Sequence, residues 1–155
     1  MANNFFIEIS LETETTEQAE ELRMELQASF DIARREDIGA FFGNDNRYLF
    51  DAHCCQAATN VSIGGWVKWG YSDGEFADMF RWLRRKVTIK KFRMAYEEFM
   101  TDQYGEYELH ADGVMWNNFL EEKDFPTETD DFDLYCEKVE EAFRKKPATR
   151  FIKVG

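Results

Sequence analysis

Ser72-Asp73-Gly74-Glu75-Phe76-Ala77-Asp78-Met79-Phe80-Arg81-Trp82-Leu83-Arg84-Arg85-Lys86-Val87 is the stretch on which the fold turns. Ser72 and Glu75 stand at capping-box spacing, where hydroxyl and carboxylate each satisfy an N–H that the first helical turn leaves without a partner. Phe76, Met79, Phe80, Leu83 and Val87 recur at three- and four-residue intervals and form one apolar stripe. Arg84, Arg85 and Lys86 place cations where the negative end of the helix dipole favours them. These residues predict a helix that buries one face against an apolar layer.

On its C-terminal side, residues 91–99 and 104–111 read as strands paired across 100–103. Ala111-Asp112-Gly113-Val114 predicts a two-residue type I′ turn, because Asp-Gly accepts positive φ, so 114–119 should pair back onto 106–111. Residues 124–129 form a loop around Pro126. Asp130 or Asp131 then caps a last helix to about Lys146, buried through Phe132, Tyr135, Val139 and Phe143 and stopped by Pro147. Residues 149–154 can add a short strand. On the N-terminal side, residues 66–71 read as a strand, set off by the break expected at Gly64-Gly65. Residues 38–42 and 47–52 flank Gly43-Asn44-Asp45-Asn46 and predict a hairpin. Residues 5–11 alternate as a strand. Thr15 and Gln18 have capping-box spacing ahead of a helix to about Phe30, buried through Ala19, Leu22, Leu26 and Phe30.

No repeat, linker or low-complexity tract divides the 155 residues, so a single domain over 1–155 is expected. Helices separated by runs of hairpin-joined strands imply an α+β fold: an antiparallel or mixed sheet with helices packed on one face. A ferredoxin-like sandwich with an added strand and an extra C-terminal helix is the leading architecture. Trp66-Val67-Lys68-Trp69-Gly70, the capped helix, Met94-Ala95-Tyr96-Glu97-Glu98 and Gln103-Tyr104-Gly105-Glu106-Tyr107 resemble the ferredoxin-like domain of uncharacterised plasmid- and bacteriophage-encoded proteins. The resemblance covers about residues 65–109. It implies a mobile-element setting and carries no catalytic residues with it.

The formal net charge is -12, from 31 acids and 19 bases. Such a surface repels nucleic acid and anionic membrane at long range and attracts basic partners, although acidity also serves solubility alone. The sign is unevenly distributed. From 81 to 93 there are seven bases and no acid; from 96 to 141 only Lys123 and Lys138 oppose the acids. Three cysteines, two of them adjacent, make no disulfide framework and suggest a reducing cytoplasmic location. The first residues carry no signal-peptide pattern, and no apolar run reaches the ~18 residues a membrane span needs.

His53-Cys54-Cys55 puts three metal-capable side chains in a row, but strand alternation sends Cys54 to the opposite face, so no metal site is expected. Glu106, Glu108 and His110 share a strand face, with Glu98 on the paired strand. Those are the parts of a general acid/base site, and equally the wet face of a sheet. No nucleophile, phosphate loop or cofactor motif accompanies them. Arg81, Arg84, Arg85, Lys90, Lys91 and Arg93, with Trp66, Trp69 and Trp82, form the one segment suited to nucleic acid, bases for phosphate and aromatics for stacking. Glu121, Glu122, Asp130, Asp133, Glu137, Glu140 and Glu141 form the opposite kind of surface, regularly spaced carboxylates able to occupy a basic cleft as a phosphate backbone does.

The residues therefore point first to a non-enzymatic, acidic protein-binding molecule of inhibitor or adaptor type, phage or mobile-element encoded. Its partner would be a basic surface such as a host nuclease or a nucleic-acid-binding defence complex. A nucleic-acid-binding module using the 81–93 segment is the alternative, and a small enzyme using Glu106, Glu108 and His110 a second. Neither a cofactor nor a membrane is implied; a homodimer through a sheet edge or helix face is compatible with the charge pattern.

Overall fold

Strand β1 (Asn4–Thr13) occupies the middle of the sheet because every second residue is apolar. Phe5, Ile7, Ile9 and Leu11 are all buried on one face, each burial worth about 1.5–3 kcal/mol. The computed structural model describes residues 4–41, 48–68, 70 and 72–155. After β1 come α1 (Thr16–Arg35), β2 (Ala40–Phe41), β3 (Tyr48–Ala57), β4 (Asn60–Lys68) and α2 (Asp73–Lys86). They are followed by β5 (Ile89–Glu98), β6 (Gln103–Leu109), β7 (Met115–Phe119), a single 3-10 turn at Glu122–Asp124, α3 (Phe132–Lys145) and β8 (Ala148–Ile152).

Seven strands lie in the order β3-β4-β1-β5-β6-β7-β8, and the two-residue β2 adds an eighth beside β3. Every neighbouring pair is antiparallel, so the sheet is α+β and antiparallel rather than mixed. Helices α1 and α2 cover one face, here the inner face. Leu22, Leu26 and Phe30 of α1 and Phe76, Met79, Phe80 and Leu83 of α2 join the β1 residues in one core. Both helices are capped, but the Thr15–Gln18 box is one-sided, since Gln18 Oε1 finds no partner among the described residues. Thr15 Oγ1 accepts from Gln18 N at 3.2 Å, and Ser72 and Glu75 complete their reciprocal box.

Helix α3 departs from the expectation of helices on one face. Tyr107 of β6 stacks on Phe76 of α2 at 3.7 Å between centroids, so its neighbour-but-two Tyr104 points the other way. Tyr104 meets Phe143 of α3 at 5.3 Å, which places α3 on the outer face. There Leu120, Tyr135 and Val139 form a second, separate core, flanked by Phe99, Phe125 and Phe143. Phe132, expected to be buried, is 63% exposed as the first residue of the helix, its ring meeting Phe99 edge-on at 5.9 Å.

Two turn readings also change. Gly64 and Gly65 lie inside β4, paired with Glu8 and Ile7, instead of breaking the chain. A Cβ at Gly65 would meet the Leu49 side chain at 2.7 Å, so the glycine is there for close packing. At the β6–β7 hairpin Gly113 has φ 83 but Asp112 is not left-handed, whereas a type I′ turn needs both. His110 N donates to Val114 O at 2.9 Å and Gly113 N to His110 O at 2.9 Å, making a three-residue loop. The Gly43-to-Asn46 turn and the side chains of Trp69 and Tyr71 lie outside the described residues.

Candidate functional site: the acidic helix and the outer sheet face

Helix α3 opens because Asp131 Oδ1 accepts from Leu134 N at 3.2 Å, and it is held down by Tyr135 and Val139. With those two residues facing the sheet, Asp133, Glu137, Glu140 and Glu141 are left exposed at helical spacing, and Asp130 extends them past the cap. Among the described residues Glu141 pairs with Lys145 at 2.7 Å, whereas Asp130, Asp133, Glu137 and Glu140 form no ion pair.

Glu140 carries the acidic stripe onto the sheet. It lines a hollow of about 530 Å³ with Phe6, Glu8, Glu97, Tyr104 and Phe143. Burial, then Glu140, then Glu8 push the Glu97 carboxyl above its ordinary range. The Cys136 thiol is raised by burial first and then by Glu97, Asp133 and Glu140, and Tyr104 by burial first and then by Glu140 and Glu97. Arg93 and Arg144 reach the same hollow. Arg93 Nε donates to Glu106 at 2.7 Å and so is already engaged.

Glu121 and Glu122 stand apart from this stripe. They sit at the 3-10 turn, where Glu121 pairs with Lys123 at 3.2 Å. Both line a different hollow, about 830 Å³, with Tyr96, Tyr107, Asn117, Phe119 and Arg150. Beneath it lies a polar network that the sequence reading missed. Asp73 Oδ1 accepts from Tyr107 Oη at 2.9 Å and from Asn117 Nδ2 at 3.1 Å, and Asp73 Oδ2 accepts from Arg150 Nε at 2.9 Å. Tyr96 Oη donates to Asn117 Oδ1 at 2.8 Å, and the Arg150 guanidinium lies 4.3 Å from the Phe119 ring centroid. Burial pushes both tyrosine hydroxyls well up, so both remain protonated donors. The available signal was Asn117, a polar residue at an inward strand position, which burial tolerates only with partners.

The basic segment does not make one strip. Arg81 and Arg84 of α2 bond the backbone oxygens of Lys153 and Val154 at 3.2 and 2.6 Å. Lys86 bonds Glu25 at 2.9 Å and lies over the Trp82 ring at 5.3 Å. Lys91 and Arg93 stand on the outer face, across the sheet from α2, at Glu12 and Glu106. Arg85 and Lys90 are exposed. The segment that reads as continuous in sequence is thus split by the sheet, and most of its cations face carboxylates or carbonyls.

Of the acid/base trio, Glu108 and His110 stay together on the outer face, the carboxylate 3.7 Å from His110 Nε2, and Glu106 is tied to Arg93. The imidazole is stacked on Trp116 at 3.6 Å. Glu98 belongs elsewhere: its buried carboxylate accepts from Met100 N at 2.7 Å and Thr101 N at 2.8 Å and closes the β5–β6 turn. His53 and Cys55 pair with Gly64 and Ser62 on the outer face, while Cys54 points inward to Gln27 and is pushed up by burial. Among the described residues no three His, Cys, Asp or Glu side chains could hold a metal ion, and no helix is long and apolar enough to cross a membrane. Comparison with protein families, with curated proteins and with solved structures returns no match.

Proposed function

We propose that the protein is a non-enzymatic docking protein whose α3 stripe and adjoining outer sheet face engage a basic surface on another protein. The observation that carries this reading is the Glu8–Glu97–Glu140 cluster. Among the described residues three carboxylates meet there without an ion pair, and burial first, then Glu140 and Glu8, raise the Glu97 carboxyl. Like charges held together oppose folding, and a cationic partner removes the repulsion on binding. A nuclease or nucleic-acid-binding complex, of the kind mobile elements encounter in a host, presents such a basic cleft. The strand order β5-β1-β4-β3, all antiparallel with α1 and α2 on one face, supports reading residues 4–98 as a ferredoxin-like unit. β6, β7 and β8 then widen one side of it, and α3 is laid on its reverse.

The test is affinity capture from the source organism, followed by a salt series on the captured partner. Charge reversal at Asp133, Glu137 and Glu140 should abolish capture and leave the fold intact, since exposed substitutions typically change stability within about ±0.5 kcal/mol. Association should weaken steeply as ionic strength rises and the Debye length contracts from about 10 Å at 0.1 M to 3 Å at 1 M. Capture indifferent both to salt and to charge reversal would sink the proposal.

A further inference from the structure

The β8 edge differs from the rest of the molecule in sign and in polarity. β8 pairs with β7 on one side, no other described strand lies on its far side, and residues 149–151 are exposed; just past its end Arg81 and Arg84 hold the Lys153 and Val154 oxygens. Phe151 on that edge is 68% exposed and meets Trp116 edge-on at 5.4 Å between centroids. Next to it is a largely apolar hollow of about 790 Å³, walled by Val114, Trp116, Phe151, Ile152 and Val154. Residues 144–153 hold Arg144, Lys145, Lys146, Arg150 and Lys153 and no acid, which leaves 14 of the 19 bases to offset all 31 acids elsewhere. Lys145 and Arg150 are paired with Glu141 and Asp73; Arg144, Lys146 and Lys153 form no ion pair among the described residues.

The geometry points to β8 as a strand-addition site for an extended acidic segment of another protein, bound as a further strand of the sheet. The free backbone groups supply the ladder, and alternate side chains supply selectivity. On the outer face the incoming strand would set an apolar residue beside Phe151 and a carboxylate two positions along, beside Lys153. Inward-facing apolar residues would lie beside Ile152. Charge selects this occupant over a second copy. Two β8 edges paired antiparallel bring Lys145 and Lys146 of each copy toward Lys153 of the other, whereas an acidic strand neutralises both ends.

The probe is a fluorescein-labelled ten-residue peptide alternating glutamate with valine around a central phenylalanine, titrated into the intact protein by anisotropy. Its controls are a peptide with lysine at each glutamate position and one of the same composition with the alternation scrambled. The alternating acidic peptide should bind at least tenfold more tightly than either control, and Phe151→Lys with Lys153→Glu should remove that preference. Amide hydrogen exchange over residues 148–152 should slow on binding, which electrostatic adsorption alone would not cause. The inference is overturned by absence of binding, by equal binding of all three peptides, by unchanged exchange at 148–152, or by a stable dimer already protecting those amides.

Discussion

Replacing Asp73 by alanine should unfasten the inner polar network, and the structure sets the size of the effect. Asp73 serves three donors, and two of them, Tyr107 and Asn117, are 2% and 1% exposed. A buried donor stripped of its acceptor costs about 1–3 kcal/mol. Arg150 is a smaller term: its side chain is 54% exposed and, once released, hydrates, so that pair contributes about 0–1 kcal/mol. Water entering from the adjoining hollow recovers part of the loss at Tyr107, since a bridging water is nearly as good a partner as a direct one. The expected cost is about 2–4 kcal/mol, or a Tm lowered by about 5–15 °C for a chain of this length. Asp73→Asn keeps one oxygen for Tyr107 and Asn117 but sets an NH2 donor against Arg150, releasing that exposed side chain to solvent, so it should cost about 1 kcal/mol. Urea denaturation with a constant m-value and calorimetry would measure both variants. The reasoning fails if alanine costs no more than asparagine, or if both fall below about 0.5 kcal/mol.

Three other outcomes are expected. Glu97 has its folded carboxyl raised above the ordinary 4.5, so the folded state holds a proton more tightly than the unfolded one and stability falls as pH climbs from that value through the raised one. Glu97→Gln should therefore stabilise the protein at neutral pH, with the gain vanishing in acid; a gain independent of pH would assign the effect to packing. Gly105 lies under Tyr96, and an added Cβ would meet Tyr96 Oη at 2.6 Å as well as the Asn118 carbonyl. Gly105→Ala should cost about 1–3 kcal/mol as an overpacked site, and it should displace Tyr96 from Asn117, detectable as a changed near-UV tyrosine signal. Glu98→Ala hands Met100 N and Thr101 N, on exposed residues of the β5–β6 turn, to solvent and should cost about 1–2 kcal/mol by chemical denaturation.

Much of the architecture was readable because the signals are local. Ser72 and Glu75, Thr15, Asp131 and the alternation in β1 act within a few residues, and each element they announce is present. What was misread depends on partners far along the chain. Gly64-Gly65 resembles a break until Leu49 is seen packed across Gly65 from the next strand. The face chosen by α3 follows from which way Tyr104 points in β6, which only the register supplies. The 81–93 segment reads as one basic strip, yet a helix end and a strand on opposite sides of a sheet cannot present one surface. Asn117 carried a legible hint, but its partner Asp73 lies 44 residues away. The α3 carboxylates stand on an exposed face because helical periodicity alone dictates it; the separation of Glu121 and Glu122 from them, and their continuation through Glu140 to Glu97 and Glu8, are tertiary facts.

Because α3 rests on a core of its own, sharing no fully buried residue with the main one, it behaves as a strap tethered at both ends. Small apolar contact areas open at lower free energy than the whole molecule does. A protease admitted at the loop around Pro126 would thus free residues 132–145 while β1, α1 and α2 stay folded. Any pull on those carboxylates therefore loads the small core of Leu120, Tyr135 and Val139 before it loads the sheet.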